Sequence, residues 1–217
     1  MTTPTGGALL KLRGQLLNLR SLVLRSRRQY AAALDDLRHA ARLFVVEGDL
    51  FHLFAVYHNL ACLIAAEAAE EPDTTHRAAM FRRALSYSQR NEAYCRRYGI
   101  GQNSVLNKLL QVGLHRELGN THLALEAADE AERKALDSQN FPNAMKAHRQ
   151  RLAILLEQHL LHDAGEVHQA TVSSLSEATL KRQFSKIYSE ELARRAPVHP
   201  LGAIPVERRH RRRARRA

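Results

Sequence analysis

Residues 103–140 place the tightest constraint on the fold, because they read as two helices joined by one short turn. Leu118, Gly119 and Asn120 interrupt the helical spacing between a stripe of large apolar residues and a stripe of small ones. The two stripes are Leu106, Leu109, Leu110, Gly113 and Leu114, then Ala124, Ala127, Ala128, Ala131 and Ala135. This periodicity predicts two amphipathic helices. Because one hairpin cannot bury both stripes alone, the stretch predicts neighbouring hairpins.

Similar helical spacing extends through most of the chain. Pro72 and Pro142 are the only prolines between residues 5 and 196, and long helices tolerate few of them. The first helix, expected over about 8–27, carries Leu12, Leu16, Leu19, Leu22 and Val23 on one face. The other expected helices are 30–46, 50–68, 75–97, the two within 103–140, one from 141, one from about 164, and one ending near 194. Gly48 is expected to end the second helix, Asp49 to cap the third, and Thr74 or Thr75 to cap the fourth. We therefore expect an all-α domain of about eight to nine helices over residues 8–195, after a flexible segment at 1–7.

The net charge of +11 is concentrated at the two ends of the chain. Residues 1–34 contain six Lys or Arg and no acid, residues 35–180 contain fifteen basic and nineteen acidic residues, and residues 181–217 contain twelve and three. The helical body is therefore mildly acidic. We expect a cytoplasmic protein; the basic, Leu-rich start also fits a mitochondrial presequence, and the Arg-rich end fits nuclear import. No run of 18 apolar residues occurs, so no membrane span is expected.

The predicted hairpins resemble tetratricopeptide repeats, whose second helix carries a small residue, a large one four later and Ala three further on. Ala33, Leu37 and Ala40 match all three positions, and Phe81 and Ala84 match the last two. Ala124, Ala128 and Ala131 also match, except that the middle residue is small. Asn59-Leu60-Ala61 looks like the Asn-Leu-Gly of the family's first helix, and Gly119 stands where the family has its turn glycine. The resemblance covers about residues 10–180 and implies antiparallel hairpins stacked as a short right-handed α-solenoid. A plain α-helical bundle is the alternative architecture.

In that family the first helix of each pair lines a concave groove that binds an extended peptide or a partner helix. The resemblance implies a groove lined by Asn18, His58, Asn59, Arg116 and His148, with Cys62 beside them. The family's chaperone-binding members grip a C-terminal carboxylate with Lys and Asn at set positions. Only Asn59 fits one of those positions, so the carboxylate clamp is not expected and the ligand class stays open.

The clearest arrangement for covalent chemistry is Cys62 with His58 four residues before it on one helix face. A catalytic thiol needs a base within reach and an electropositive, accessible setting, and the spacing supplies only the base. A small core residue is therefore the preferred interpretation of Cys62. The chain has no Gly-rich phosphate loop, GxSxG or HExxH motif. We expect no catalysis and no cofactor.

Histidine is abundant, and His159, His162 and His168 form the densest group among the twelve. A turn predicted at His162-Asp163 separates His168 from the other two, and no Glu-x-x-His spacing occurs within the expected helices, so no metal site is expected. The His162-Asp163 pair resembles a phosphohydrolase dipeptide but has no companion ligands.

Residues 196–217 are predicted to form a disordered basic tail, because three prolines precede a block of seven arginines. These arginines are Arg208, Arg209, Arg211, Arg212, Arg213, Arg215 and Arg216. Such a block binds polyanions through counterion release, and without interleaved aromatic residues it does not indicate base stacking. A solvated tail with no selected role is the alternative.

Together these features predict a non-catalytic adaptor that binds a protein partner, either a peptide or a helix, in its groove and uses the tail for electrostatic attachment. The alternative function is a nucleic-acid- or ribosome-associated protein that binds phosphate through its basic ends. The apolar residues after 175 are expected to form either a capping helix or the interface of a homodimer, since an uncapped repeat exposes apolar surface.

Overall fold

The computed structural model of the protein describes residues 6–195, apart from the side chains at positions 102 and 103. Within this range the chain forms nine helices and no strand, which confirms the predicted all-α fold. The helices are α1 (Gly6–Ser26), α2 (Tyr30–Glu47), α3 (Leu50–Ala68), α4 (Thr74–Arg97), α5 (Gly101–Glu117), α6 (Thr121–Asp137), α7 (Phe141–Glu157), α8 (Leu161–Ser174) and α9 (Ala178–Arg195). The predicted basic tail at 196–217 lies outside the described residues.

The helix ends follow from local backbone chemistry. Gly48 ends α2 in the left-handed conformation, with φ of 66°, and Gly119 does the same after α5, with φ of 73°. The carboxylate of Asp49 accepts a hydrogen bond from the backbone N–H of His52 and caps α3, as expected. The cap of α4 is Asp73, not Thr74 or Thr75, because Thr74 is already the first helical residue.

Short connections make successive helices antiparallel neighbours, and each helix from α1 to α7 packs against the next one in the chain. Successive odd-numbered helices also contact each other, α1 with α3, α3 with α5 and α5 with α7. Among the described helices, the backbones of α2 and α4, of α4 and α6, and of α6 and α8 do not approach each other in this way. The odd-numbered helices therefore form a close row, called here the odd-helix row, and the even-numbered helices spread apart on its other side.

Small residues occupy the places where helices cross most closely. The alanine stripe of α6, predicted to be apolar and helical, is buried along its whole length from Ala124 to Ala135. In α1 the close approach occurs at Gly14, where a Cβ atom would lie 2.8 Å from the ring of Phe44 in α2. That contact turns Leu10, Leu17 and Leu24 towards the body, where each is half-buried. It leaves most of the predicted leucine stripe of α1 facing solvent.

The C-terminal end of the stack is closed by α9, which packs on α7 and α8. Leu180, Phe184 and Ile187 of α9 are buried, and Phe184 is completely inaccessible to solvent. The apolar residues after 175 therefore pack within the chain, as expected of a capping helix, and the homodimer interface stays a prediction.

Helix α3 alone among the described helices is long and apolar enough to cross a membrane, with a mean hydropathy of 1.4. Length and composition do not separate a membrane span from the central helix of a stack. Here α3 packs against α1, α2, α4 and α5.

Candidate functional site

Polar side chains join each odd-numbered helix to the next one in the odd-helix row. At the α1–α3 junction, the Asn59 side-chain amide donates to the Asn18 side-chain oxygen at 2.9 Å. At the α3–α5 junction, His58 Nδ1 lies 3.1 Å from the side-chain oxygen of Asn107. At the α5–α7 junction, Arg116 lies 2.8 Å from both carboxylate oxygens of Glu157. Four of the five residues predicted to line a groove therefore stand at these junctions.

The α1–α3 junction contains a second polar group beside the asparagine pair. Lys11 Nζ lies 2.9 Å from the Asp49 carboxylate, and His52 Nδ1 lies 2.8 Å from the same group. Burial alone would raise the pKa of Asp49, but the hydrogen bonds from Lys11 and His52 lower it to about 2. The other ring nitrogen of His52 contacts the side-chain amide of Gln15 at 2.9 Å. These bonds fix the position of α1 on α3.

A chain of hydrogen bonds fixes which nitrogen of His58 carries its proton. The side-chain amide of Asn91 donates to the backbone oxygen of Phe54 at 2.9 Å, so the nitrogen of Asn91 is identified. The same nitrogen donates to the side-chain oxygen of Asn107 at 3.3 Å. Because that oxygen only accepts, His58 must donate to it through Nδ1. Nε2 of His58 then faces the Cys62 sulfur at 3.4 Å and is able to take its proton.

The surroundings of Cys62 and His58 shift the pKa values of both groups in the direction of a charged thiolate–imidazolium pair. Burial alone would raise the pKa of the Cys62 thiol, but the hydrogen bond to His58 and the positive charges of His58 and Arg25 lower it. Burial would also lower the pKa of His58, and its bonds to Cys62 and Asn107 reverse that effect and raise it. Cys62 is half-buried, whereas Cys95 is fully buried and has its pKa raised to about 11 by burial and by Glu92. Cys62 thus has a base, an orienting group for that base, a nearby cation and partial access.

Arg116 lies at a junction rich in arginine and glutamate. Glu157 accepts from Arg116 and also from Arg195 of α9 at 3.1 Å. Two adjoining cavities of about 390 and 480 Å³ share Arg116 and Glu157 among their lining residues. The guanidinium of Arg149 lines the second cavity and lies 2.8 Å from Glu190. This junction is more open and more charged than the one around Asn18 and Asn59.

His148 is placed differently from the other predicted groove residues. It is 0% exposed and lies between α6 and α8, with its Nδ1 2.9 Å from the buried carboxylate of Glu132. Thr171 donates to the same carboxylate at 2.9 Å. Burial would raise the pKa of Glu132, but its contacts with His148, Thr171 and Arg151 lower it. The prediction that His148 lines a groove does not fit this position, because the ring is enclosed by its contacts with Glu132 and His168, which the local sequence does not reveal.

The three clustered histidines of the sequence are separated in the structure. His159 is in the turn before α8, His162 contacts Glu166 on the surface, and His168 lies 3.3 Å from His148. His162 and Asp163 belong to the first turn of α8, so the predicted turn is wrong and falls instead at 158–160. Within residues 6–195 no three His, Cys, Asp or Glu side chains are grouped so as to hold a metal ion.

Asn107 is not among the site residues predicted from the sequence, although the sequence contains a pattern that indicates it. It belongs to a stripe of polar residues on α5, all of which are buried: Ser104, Asn107, Gln111 and His115. Polar residues at helical spacing inside an apolar stretch indicate a buried hydrogen-bond network. Their partners on α3 and α4 are distant in sequence and follow no local pattern.

No known family model matches the chain, and no curated protein matches it. The fold alone defines the class of the protein, which is an all-α protein with nine antiparallel helices stacked within residues 6–195.

Proposed function

We propose that the protein is a non-catalytic helical-repeat adaptor, similar to tetratricopeptide-repeat proteins, which binds a peptide or a helix of a partner protein along the odd-helix row. The observation that carries this proposal is the polar junction between each pair of successive odd-numbered helices. Stacked helical repeats use such a surface to hold extended ligands.

The packing of the helices supports a concave odd-helix row. The backbones of successive odd-numbered helices approach each other closely, while the described even-numbered helices meet only through side chains, as Thr171 meets Glu132 and Lys134 meets Glu92. A stack that is close on one side and spread on the other curves around its close side. The buried alanines of the even-numbered helices, such as Ala40, Ala84 and Ala131, match the small positions of the tetratricopeptide pattern.

The side chains at the junctions suit recognition of a peptide backbone. The bond between Asn18 and Asn59 uses one donor and one acceptor, so each amide keeps a further hydrogen-bonding group. Both residues are half-buried, which leaves those groups within reach of a ligand on the surface. Extended peptides offer backbone N–H and C=O groups at regular intervals, and paired amides can satisfy both.

A pull-down with matched variants tests the proposal. The full chain and the double variant Asn59→Ala/Arg116→Ala are used as baits in a lysate, each with and without nuclease. The control is Arg82→Ala/Arg133→Ala, whose exposed residues lie on the even-numbered helices α4 and α6. Circular dichroism establishes that all three baits are folded.

We expect nuclease-resistant partners that the wild type and the control retain and that the Asn59/Arg116 variant loses. If the Asn59/Arg116 variant keeps every partner, the odd-helix row is not the binding surface. If nuclease removes every partner from the wild type, the protein is a phosphate binder and the alternative function applies.

A further inference from the structure

The outward side of α1 carries an apolar stripe that no described part of the chain covers. The stripe consists of Leu9, Leu12, Leu16, Leu19 and Val23, called here the α1 stripe, and these side chains are 49–58% exposed. They follow one another at intervals of three, four, three and four residues. This alternation is the a/d pattern of a coiled-coil helix.

The α1 stripe is separate from the odd-helix row. At 100° per residue, its centre lies about 140° around α1 from Asn18, which faces α3. The opposite side of α1 packs on α2 through Gly14 and the half-buried Leu17 and Leu24. The stripe therefore points away from the stack, at the end that α9 does not close.

The shape of the stripe favours a helix as its occupant. Its five residues span only about 80° of the circumference of α1. An apolar stripe this narrow is typical of the contact between two helices of a coiled coil. A helix lying in a membrane surface presents a broader apolar face. A partner helix with apolar residues at its own a and d positions would interlock with this narrow row of side chains.

Charge beside the stripe specifies the chemistry of the partner. Arg13, Arg20 and Arg27 flank it at intervals of seven residues, at the e positions of the same heptads. Arg20 is engaged by Asp36, with its Nε 2.6 Å from the carboxylate. Within residues 6–195 neither Arg13 nor Arg27 has an ion pair.

The acids near α1 do not compensate this charge. Asp36, Asp49 and Glu70 are bound to Arg20, Lys11 and Arg28, and Glu47 lies at the first turn of α1, close to Gly7. Glu47 is therefore the only one of the four without a basic partner among these contacts, and it is distant along α1 from Arg27. A ligand with acidic side chains beside its apolar seam would supply the missing partners.

Two occupants from the chain itself are disfavoured by the same charges. A second copy would bring its own α1, and residues 1–34 contain no acid to pair with the arginines in either orientation. Residues 196–217 contain seven arginines and one glutamate, so this segment would be repelled. We propose that the α1 stripe binds an acidic amphipathic helix of a partner protein, with apolar residues at heptad a and d positions and Asp or Glu beside them.

Designed peptides test the inference on the full chain. One labelled 21-residue peptide has Leu at positions a and d and Glu at e and g, and its twin has Lys in place of Glu. Binding is followed by fluorescence anisotropy at about 0.1 M salt. At this concentration the screening length is about 10 Å, so side chains in contact still attract or repel each other. We expect the Glu peptide to bind at least about tenfold more tightly than the Lys peptide.

Variants locate the binding surface. Leu12→Gln/Leu16→Gln should weaken binding of the Glu peptide by about tenfold or more, since two half-exposed leucines lose their burial. The matched control is Leu123→Gln/Leu161→Gln, which changes two leucines that are 44% and 58% exposed on α6 and α8. Arg13→Glu/Arg27→Glu should reverse the preference between the two peptides.

Three results would overturn the inference. The first is equal binding of both peptides, or binding that ignores the Leu12/Leu16 change. The second is a dimer in sedimentation that the Leu12/Leu16 variant abolishes, which would make a second copy the occupant. The third is stripe-dependent binding to vesicles of phosphatidylcholine and phosphatidylglycerol without binding of the Glu peptide, which would make the occupant a membrane.

Discussion

The two cysteines should differ strongly in their reaction with iodoacetamide in the folded protein. Cys62 lies 3.4 Å from Nε2 of His58, close to Arg25, and is half-buried. Cys95 is 0% exposed, and its pKa is raised from 9.0 to about 11. Because the thiolate is the reacting species, the pKa and the access of each sulfur determine its rate.

The size of the difference follows from these values. At neutral pH a thiol of pKa about 11 is ionised about a hundredfold less than one of pKa 9.0, and the pKa of Cys62 lies below 9.0. The weaker nucleophilicity of a low-pKa thiolate offsets about half of this factor on a logarithmic scale. Ionisation alone therefore makes Cys62 about tenfold faster or more, and the burial of Cys95 increases the ratio.

Mass spectrometry of the two cysteine peptides at timed intervals measures both rates in one sample. His58→Gln should move the pH midpoint of the Cys62 reaction upwards, because it removes the base and its charge. Arg25→Gln should move the midpoint upwards by less. In strong denaturant the two cysteines should react alike, which controls for differences between the peptides.

Equal rates for the two cysteines in the folded protein would refute this reasoning. So would an unchanged pH profile in His58→Gln, since His58 would then have no electrostatic effect on the sulfur. The reaction also tests the proposed function, because Cys62 lies in α3 beside Asn59. A ligand on the odd-helix row should slow the alkylation of Cys62.

Four further substitutions test stability and are measured by urea denaturation. Asp49→Asn should cost about 2 kcal/mol at pH 6, from the shift of the Asp49 pKa from 3.8 to about 2. Since that pKa is depressed in the folded state, the stability is present above pH 4 and lost as the pH falls towards 2. Gly113→Ala should stabilise the protein by about 0.5–1 kcal/mol, because its Cβ meets open space within a helix. Gly14→Ala should destabilise it by about 1–3 kcal/mol, because its Cβ meets the ring of Phe44 at 2.8 Å. Glu132→Ala should cost about 3–5 kcal/mol, because it removes a buried carboxylate that pairs with Arg151 and accepts from Thr171.

Each of these has an outcome that would contradict it. An Asp49→Asn variant whose loss of stability persists unchanged at pH 2 would show that the charge of Asp49 is not responsible. Equal effects of the two glycine substitutions would contradict the close approach of α1 and α2. If Glu132→Ala were as stable as the wild type, the carboxylate would not be compensating a buried charge.

The features predicted well from the sequence depend on residues close together in the chain. The alanines of α6 repeat at helical spacing and are buried as that spacing implies. Gly48 and Gly119 stand at helix ends and adopt the positive φ that favours glycine there. Asp49 caps α3 through a contact with the third residue after it. Each of these features is determined by one helix or one turn.

The features that could not be predicted from the sequence depend on which helix faces pack against each other. Helix α1 carries leucines on two sides, and periodicity alone does not say which side is buried. The choice depends on Gly14, which lets the ring of Phe44 approach. In the same way His148 is enclosed because Glu132 and His168 come from two other helices. A pattern within α7 contains no information about those partners.

The two ends of the stack explain why one set of apolar residues is buried and the other is not. At the C-terminal end, α9 places Phe184 in the core, and the carboxylate of Glu191 is neutralised by Arg194 and Arg195 at 2.6 Å each. At the N-terminal end, α1 is the outermost helix and keeps Leu16 and Leu19 58% exposed. Repeat stacks need a polar outer face at each end to remain soluble alone. The leucine row of α1 lies beside Arg13 and Arg27, which have no ion pair within residues 6–195, and meets that requirement only in part. The proposed acidic helix would cover this row as α9 covers the other end of the stack.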